Sequence, residues 1–253
     1  MDNTESLILS ASLSRTLSDQ VTNQLRQTIL DGRLKPGQRI VENEIAQAME
    51  MSRGPVRDAL RILESERLIV RYPRRGTFVA WLTLRDAEEI YSLRGSLETL
   101  AIEYAIKSAT DKQIDELDQV VDQMAVTLKQ DYTRFEATDL DLQFHHVLCR
   151  ISGHSRVLGS WTALRAQVRL LILTHRSLQP LDFRRTGVEW HRQLVQALRD
   201  RDLDRAVQAL RKHLAASFES VAQAIRQANS SVRVEAEAPP DQLVNVGLDT
   251  RPS

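Results

Sequence analysis

Apolar residues recur every three to four positions along most of the chain, and one short stretch departs from that period. Leu17, Val21, Leu25 and Ile29 step by four, which predicts a helix stopped at Asp31-Gly32. Lys35-Pro36-Gly37 reads as a turn, because proline presets the backbone and glycine tolerates positive φ. Val41, Ile45, Ala46 and Met49 fall on one side of a second helix. Ser52 is placed to cap a third, with Pro55 in its first turn, where a missing N–H costs nothing. Val56, Ala59, Leu60 and Leu63 form the apolar stripe of that helix. Leu68-Ile69-Val70 and Thr77-Phe78-Val79 then predict two short strands joined through Arg74-Arg75-Gly76.

Strand signals end at a boundary expected near Ala80 to Leu84. Six helical patterns follow, at about 86–107, 111–130, 134–151, 155–177, 184–200 and 203–227. Their links are short and marked by Thr110-Asp111, Ser152-Gly153, Gln179-Pro180 and Asp200 to Asp202. Short links between long amphipathic helices imply an antiparallel bundle. The expected fold is therefore mostly α: a winged helix-turn-helix domain over 15–80, a linker at 81–85, and an antiparallel six-helix bundle over 86–228. Residues 1–14 read as a flexible arm, and 229–253, rich in Ser, Pro, Glu and Asp, as a disordered tail.

Charge alters this picture locally. The chain carries 34 basic and 34 acidic residues, so bulk charge announces no nucleic-acid partner. Between Arg53 and Arg75, however, seven arginines (53, 57, 61, 67, 71, 74 and 75) face three acids (Asp58, Glu64 and Glu66). The apolar stripe of the third helix leaves Arg53, Arg57 and Arg61 together on its other side. In a helix-turn-helix the N-terminal end of the second helix meets base edges in the major groove. Arg53 and Arg57 stand where that geometry needs donors, and an arginine fork matches guanine O6 and N7. Ser52 and the first-turn N–H groups suit a phosphate, and Gly54 allows close approach of the duplex. Arg74, Arg75 and Gly76 form a tip able to grip an adjacent minor groove. The alternative is a solvated basic face, or pairing with Glu64 and Glu66.

Inside the bundle the pattern contains polar residues where apolar ones are expected. On the helix at 134–151, Leu140, Phe144, Val147, Leu148 and Ile151 cluster on one arc, with Leu142 and Cys149 on the opposite side. Asp141 and His145 fall between them, about 100° and 140° from Leu140 at ~100° per residue. His146 shares the polar arc with Asp139, Gln143 and Arg150. His191 lies on the stripe of Leu194, Val195 and Leu198, and His213 on that of Ala206, Leu210 and Leu214. Burying such groups without partners is costly, so convergence on one another or on a metal is the economical solution. Asp141, His145, His191 and His213 would offer one oxygen and three nitrogens to a single divalent transition metal, Zn, Ni, Mn or Fe. The alternative is four independently hydrogen-bonded core groups. Arg94 and His175 also fall on apolar stripes. Arg94 could bind the carboxylate of a small effector or pair with Glu98 one turn on; His175 is a candidate effector contact or a packed residue. Arg165 and Arg169 are expected to cover apolar surface with their stems, and Cys149 to act as a small buried hydrophobe.

Two sets of motifs carry a family resemblance. The patterns I-L-x-G-x-L-x-P-G, S-R-x-P-V-R-x-A-L and R-G-T-x-V, within residues 17–80, resemble the winged-helix domain of GntR-type bacterial transcription regulators. By that resemblance Arg53 and Arg57 match DNA-contacting positions of the recognition helix, and Arg75-Gly76 match the wing. Asn43 stands where some relatives carry a base-reading arginine, and Glu66-Arg67 where an acid followed by glycine is usual. D-x-x-F-H, E-W-H-x-x-L-x-x-A-L and A-x-x-A-L-x-x-H-L, within 84–227, resemble the ligand-sensing FCD domain of the FadR branch. In that domain a D/H/H/H set commonly holds a metal, and six helices point to its VanR-like subgroup.

What is expected is a homodimeric transcription regulator, and not an enzyme. Its operator DNA binding would be controlled by a small carboxylate effector at the metal site, repression relieved by ligand being the commoner mode in the family. A metalloenzyme with an accessory DNA-binding domain and a pure metal sensor are the alternatives. No apolar run approaches the roughly 18 residues of a membrane span, and the N-terminus lacks a basic segment ahead of its apolar patch. A cytoplasmic protein without a membrane partner is expected, in keeping with the single cysteine.

Overall fold

In the computed structural model, which describes residues 16–130, 132–174 and 183–237, the chain divides into two compact units between Trp81 and Leu82. The first is built on α1 (Leu17–Leu30) and α3 (Arg53–Ser65), which pack together, with α2 (Glu42–Ala48) against α3. Val21, Leu25 and Ile29 of α1 and Val56, Ala59, Leu60 and Leu63 of α3 are buried as their spacing required. A three-stranded antiparallel sheet completes the unit in the order β1 (Arg39–Ile40), β3 (Gly76–Val79), β2 (Ile69–Tyr72). Val70 faces Phe78 and Tyr72 faces Gly76, so the wing runs one or two residues further than expected on either side of its tip. β1 has no counterpart in the sequence reading, since two residues are too few to show alternation. Gly76 sits at φ 107°, and a Cβ there would come within 3.3 Å of Arg39 Nε, so this position needs glycine.

Helix α3 ends in a Schellman arrangement: Leu68 N–H donates to Leu63 C=O and Arg67 N–H to Glu64 C=O. Arg67 takes the left-handed φ of 58° that this closure needs, which explains why glycine suits the position. Arg26 on α1 grips Glu66 with Nε at 2.8 Å and Nη2 at 2.5 Å, tying the two helices beside the same closure.

The second unit is all helical: α4 (Leu84–Ser108), α5 (Asp111–Thr127), α6 (Arg134–Ile151), α7 (Ser155–Thr174), α8 (Phe183–Arg199) and α9 (Leu203–Glu237). Helix α4 lies against α6, α7 and α9, and α8 against α5 and α9. Thr83, Thr110 and Thr133 begin α4, α5 and α6 with reciprocal capping boxes to Asp86, Gln113 and Glu136, each satisfying two otherwise orphaned groups. At its other end α4 is closed by Arg201, whose guanidinium donates to the carbonyls of Ala105, Ile106 and Ala109 at 3.3, 3.2 and 2.8 Å.

Three expectations change. The link between the units is shorter than 81–85, because Thr83 already caps α4. Helix α9 continues to Glu237, into the stretch read as a disordered tail; no Gly or Pro interrupts the chain between Ala228 and Glu237. Arg169 pairs with Asp139 rather than serving only to cover apolar surface. Among the described residues no helix is long and apolar enough to cross a membrane.

Candidate functional site

The first unit presents an exposed, arginine-bearing surface. Ser52 is the N-cap of α3 with extended backbone, but its side chain makes no capping hydrogen bond, so its hydroxyl is not used by the helix. Ser52, Arg53, Gly54 and Arg57 are exposed together at the start of α3, and Arg74 and Arg75 are exposed at the tip of the β2–β3 turn. The arginines are held lightly. Arg53 Nη1 donates to Asn43 Oδ1 at 3.3 Å and Arg57 Nε to Glu42 Oε2 at 3.1 Å, so the head of α2 orients both. Arg61 pairs with Asp58 and Arg71 with Glu64, each at 3.3 Å. The pairing alternative thus applies to Arg71, while Glu66 is taken by Arg26.

The second unit has a closed centre. α6 supplies Asp141 and His145, α8 supplies His191 and α9 supplies His213, all four buried as their positions on apolar arcs required. Their potential ligand atoms lie within 4.8 Å of one another, the one such group among the described residues. Asp141 Oδ1 is the focus, with His213 Nε2 at 3.3 Å, His191 Nε2 at 3.4 Å and His145 Nε2 at 3.7 Å. These are long for hydrogen bonds. One carboxylate oxygen surrounded by three imidazole nitrogens at this spacing fits a divalent cation among them, and the O/N₃ donor set suits Zn, Ni, Mn or Fe.

The electrostatics point the same way. Burial alone would push Asp141 up, but His145, His191 and His213 hold its carboxyl well below the usual range. Burial and the neighbouring His191 push His213 down to about 3, so this imidazole stays neutral and able to ligate. His145 goes the other way: burial lowers it, but the Glu98 and Asp141 carboxylates together raise it. Its Nε2 lies 3.0 Å from that of His213, a hydrogen-bond distance whose direction depends on the ring tautomers.

Two residues of α4 extend the site. Arg94, 1% exposed, donates from Nε to Glu98 Oε1 at 2.7 Å, with Nη2 3.5 Å from Asp141 Oδ2. Its guanidinium also lies 5.3 Å from the ring centroid of Trp161. Of the two roles open to Arg94, the structure displays the pair with Glu98. Glu98 was missed as part of the centre: on sequence it is only an i+4 partner, and its approach to His145 is tertiary. His175 lies outside the described residues. Cys149 is buried and its thiol is pushed up by burial, as suits a packed hydrophobe. His146 is only half-buried, away from the set. A small cavity reaches Asp141 and His191 between walls of Met124, Leu128, Ala137, Leu140 and Val188.

Comparison with known proteins agrees with both halves. Residues 17–79 match the family described as bacterial regulatory proteins, gntR family, and residues 89–216 match the FCD domain. The chain is 31% identical over 199 residues to the gluconate operon transcriptional repressor of Bacillus subtilis (strain 168), covering 77% of this chain and 80% of that one. It is 34% identical over 139 residues to the uncharacterized HTH-type transcriptional regulator YdhC of the same organism, covering 55% of this chain but only 62% of the relative. Among solved structures, Escherichia coli McbR/YncC shares the fold, with a TM-score of 0.69 at 22% identity over 82% of this chain and 98% of that one.

Proposed function

Because the chain belongs to the GntR family of bacterial regulatory proteins and carries its FCD domain, we propose that it is a homodimeric repressor released from operator DNA by a small carboxylate at a metal centre. The observation that carries this reading is the convergence of Asp141, His145, His191 and His213 from three helices in a buried centre. On the DNA side, Arg53 and Arg57 read base edges, Ser52 and the amides of the first turn of α3 take a phosphate, Gly54 admits the duplex, and Arg74 and Arg75 flank Gly76 in the adjacent groove. Two such units are needed for a twofold operator.

On the sensing side, a divalent metal held by the Asp/His set would supply an open Lewis-acidic position for a carboxylate. Charge supports a single one. Asp141 and Glu98 are both held ionised against one cation, Arg94, so the centre would carry about −1 once its imidazoles are neutral, as ligation requires. A divalent ion brings it to about +1, which one carboxylate balances. Arg94 is engaged by Glu98 and Asp141, so the effector carboxylate is assigned to the metal and Arg94 to holding the centre together. The similarity to a gluconate operon repressor places hydroxy acids among the compounds to try. Ligand would release DNA only by binding the released arrangement more tightly than the DNA-bound one.

The test is operator binding by metal-loaded and chelator-treated protein across a panel of monocarboxylates, with dicarboxylates as controls. Release by a monocarboxylate only when metal is present is the expected result. Release by metal addition or removal alone would replace this reading with a pure metal sensor, and no response to either would overturn the sensing half.

A further inference from the structure

Glu98 stands outside the set of Asp141, His145, His191 and His213 but inside the same buried core, at 0% exposure. Its two oxygens are divided between neighbours. Oε1 accepts from Arg94 Nε at 2.7 Å, while Oε2 lies 2.6 Å from His145 Nδ1. At that separation two lone-pair acceptors would repel, so the ring nitrogen facing the carboxylate is the one expected to carry a proton. The approach is close but not aligned as a hydrogen bond, and neither Oε2 nor Nδ1 has a hydrogen-bond partner elsewhere among the described residues. The opposite nitrogen of the ring, Nε2, is the one turned toward Asp141 and His213. An imidazole ligates through a deprotonated nitrogen, and the hydrogen bond made by the other nitrogen decides which one that is.

We propose that Glu98 is the positioning residue of the metal centre, keeping the proton of His145 on Nδ1 so that Nε2 is its ligand atom. The inference rests on the metal reading above. Arg94 serves it by occupying Oε1, which leaves Oε2 as the oxygen that faces the ring. Trp161 lies beside both, 5.3 Å from the Arg94 guanidinium and 6.0 Å from the His145 ring, and is itself fully buried. The carboxylate is therefore held in a closely packed, solvent-shielded position. Because Glu98 and Arg94 both belong to α4, the ring of a ligand on α6 is steered from a different helix.

Zinc affinity of the full chain, measured by competition with a chromophoric chelator, tests this. Glu98→Ala should weaken zinc binding by about 10- to 100-fold, the usual effect of removing the partner of a ligating histidine. Glu98→Gln, which keeps an acceptor oxygen, should recover part of that loss. Thermal unfolding of the chelator-treated proteins separates a loss of fold from a loss of affinity. Equal zinc affinity in all three proteins would sink the role of Glu98 and leave the metal site standing; an unsubstituted chain that binds no zinc would overturn both. Should Glu98→Ala not fold, the histidine nitrogen spectrum of the zinc-loaded unsubstituted protein decides. A proton on Nδ1 of His145 with Nε2 bound to zinc is expected, and the reverse assignment refutes the proposal.

Discussion

Arg57 in the winged helix and Arg94 in the bundle each donate from Nε to a glutamate, at 3.1 and 2.7 Å. Their surroundings separate them. The Arg57 side chain is 55% exposed and its partner Glu42 28%, whereas Arg94 and Glu98 are 1% and 0% exposed. In water such a pair is worth about 0–1 kcal/mol, because solvent competes for both charges. Away from water the pair itself adds little net stability, but removing one partner strands a charge at a cost of about 3–5 kcal/mol. One arginine is thus held where solvent or a new anionic partner can displace its glutamate, and the other is buried with its partner. The same two residue types make a surface that exchanges partners and a centre that does not.

The sharpest way to break this contrast is Arg94→Ala. It should lower folding stability by about 3–5 kcal/mol in denaturant melts of the zinc-free chain. A loss below about 1 kcal/mol would place Arg94 in the same class as Arg57. Next in size are Arg53→Ala and Arg57→Ala. Each should cost about 1–3 kcal/mol of discrimination between a duplex selected by the unsubstituted protein and a random one, while folding stability stays within about 1 kcal/mol. Unchanged sequence preference in both variants would remove α3 from the role of reader. The smallest effect is expected from Glu42→Gln, which frees Arg57 and removes a negative charge from the reading face. Duplex binding at low salt should tighten by up to about 1 kcal/mol, and weaker binding would mean that Glu42 orients Arg57 for DNA rather than parking it.

Much of this was legible in the chain, for reasons that differ by region. The Asp141 and His145 positions declared themselves because polar groups within an apolar arc of α6 have few inexpensive explanations. Arg53 and Arg57 followed from helical spacing after a serine cap, although Ser52 caps by backbone conformation alone. The left-handed backbone of Arg67 was not marked by a glycine at that position; the helix closure supplies its cause. Strand β1 was hidden because a two-residue strand has no period. The link from Glu98 to His145 was hidden because it joins positions 47 apart through packing of α4 against α6, which no local pattern encodes.

The closure of α4 by Arg201 has a mechanical corollary. Its last turn is anchored through the carbonyls of Ala105, Ile106 and Ala109, while Glu98 lies part-way along and Leu84 at the far end. With ~1.5 Å of rise per residue, Glu98 is about 15 Å and Leu84 about 36 Å from Ser108. For a rigid rod turning on that anchored end, a displacement of ~1 Å at Glu98 becomes ~2.4 Å at Leu84, by the ratio of those arms. Arg201 thus fixes the end of α4 farthest along the chain from the boundary between the units, and any tilt of the helix about that end would grow along its length.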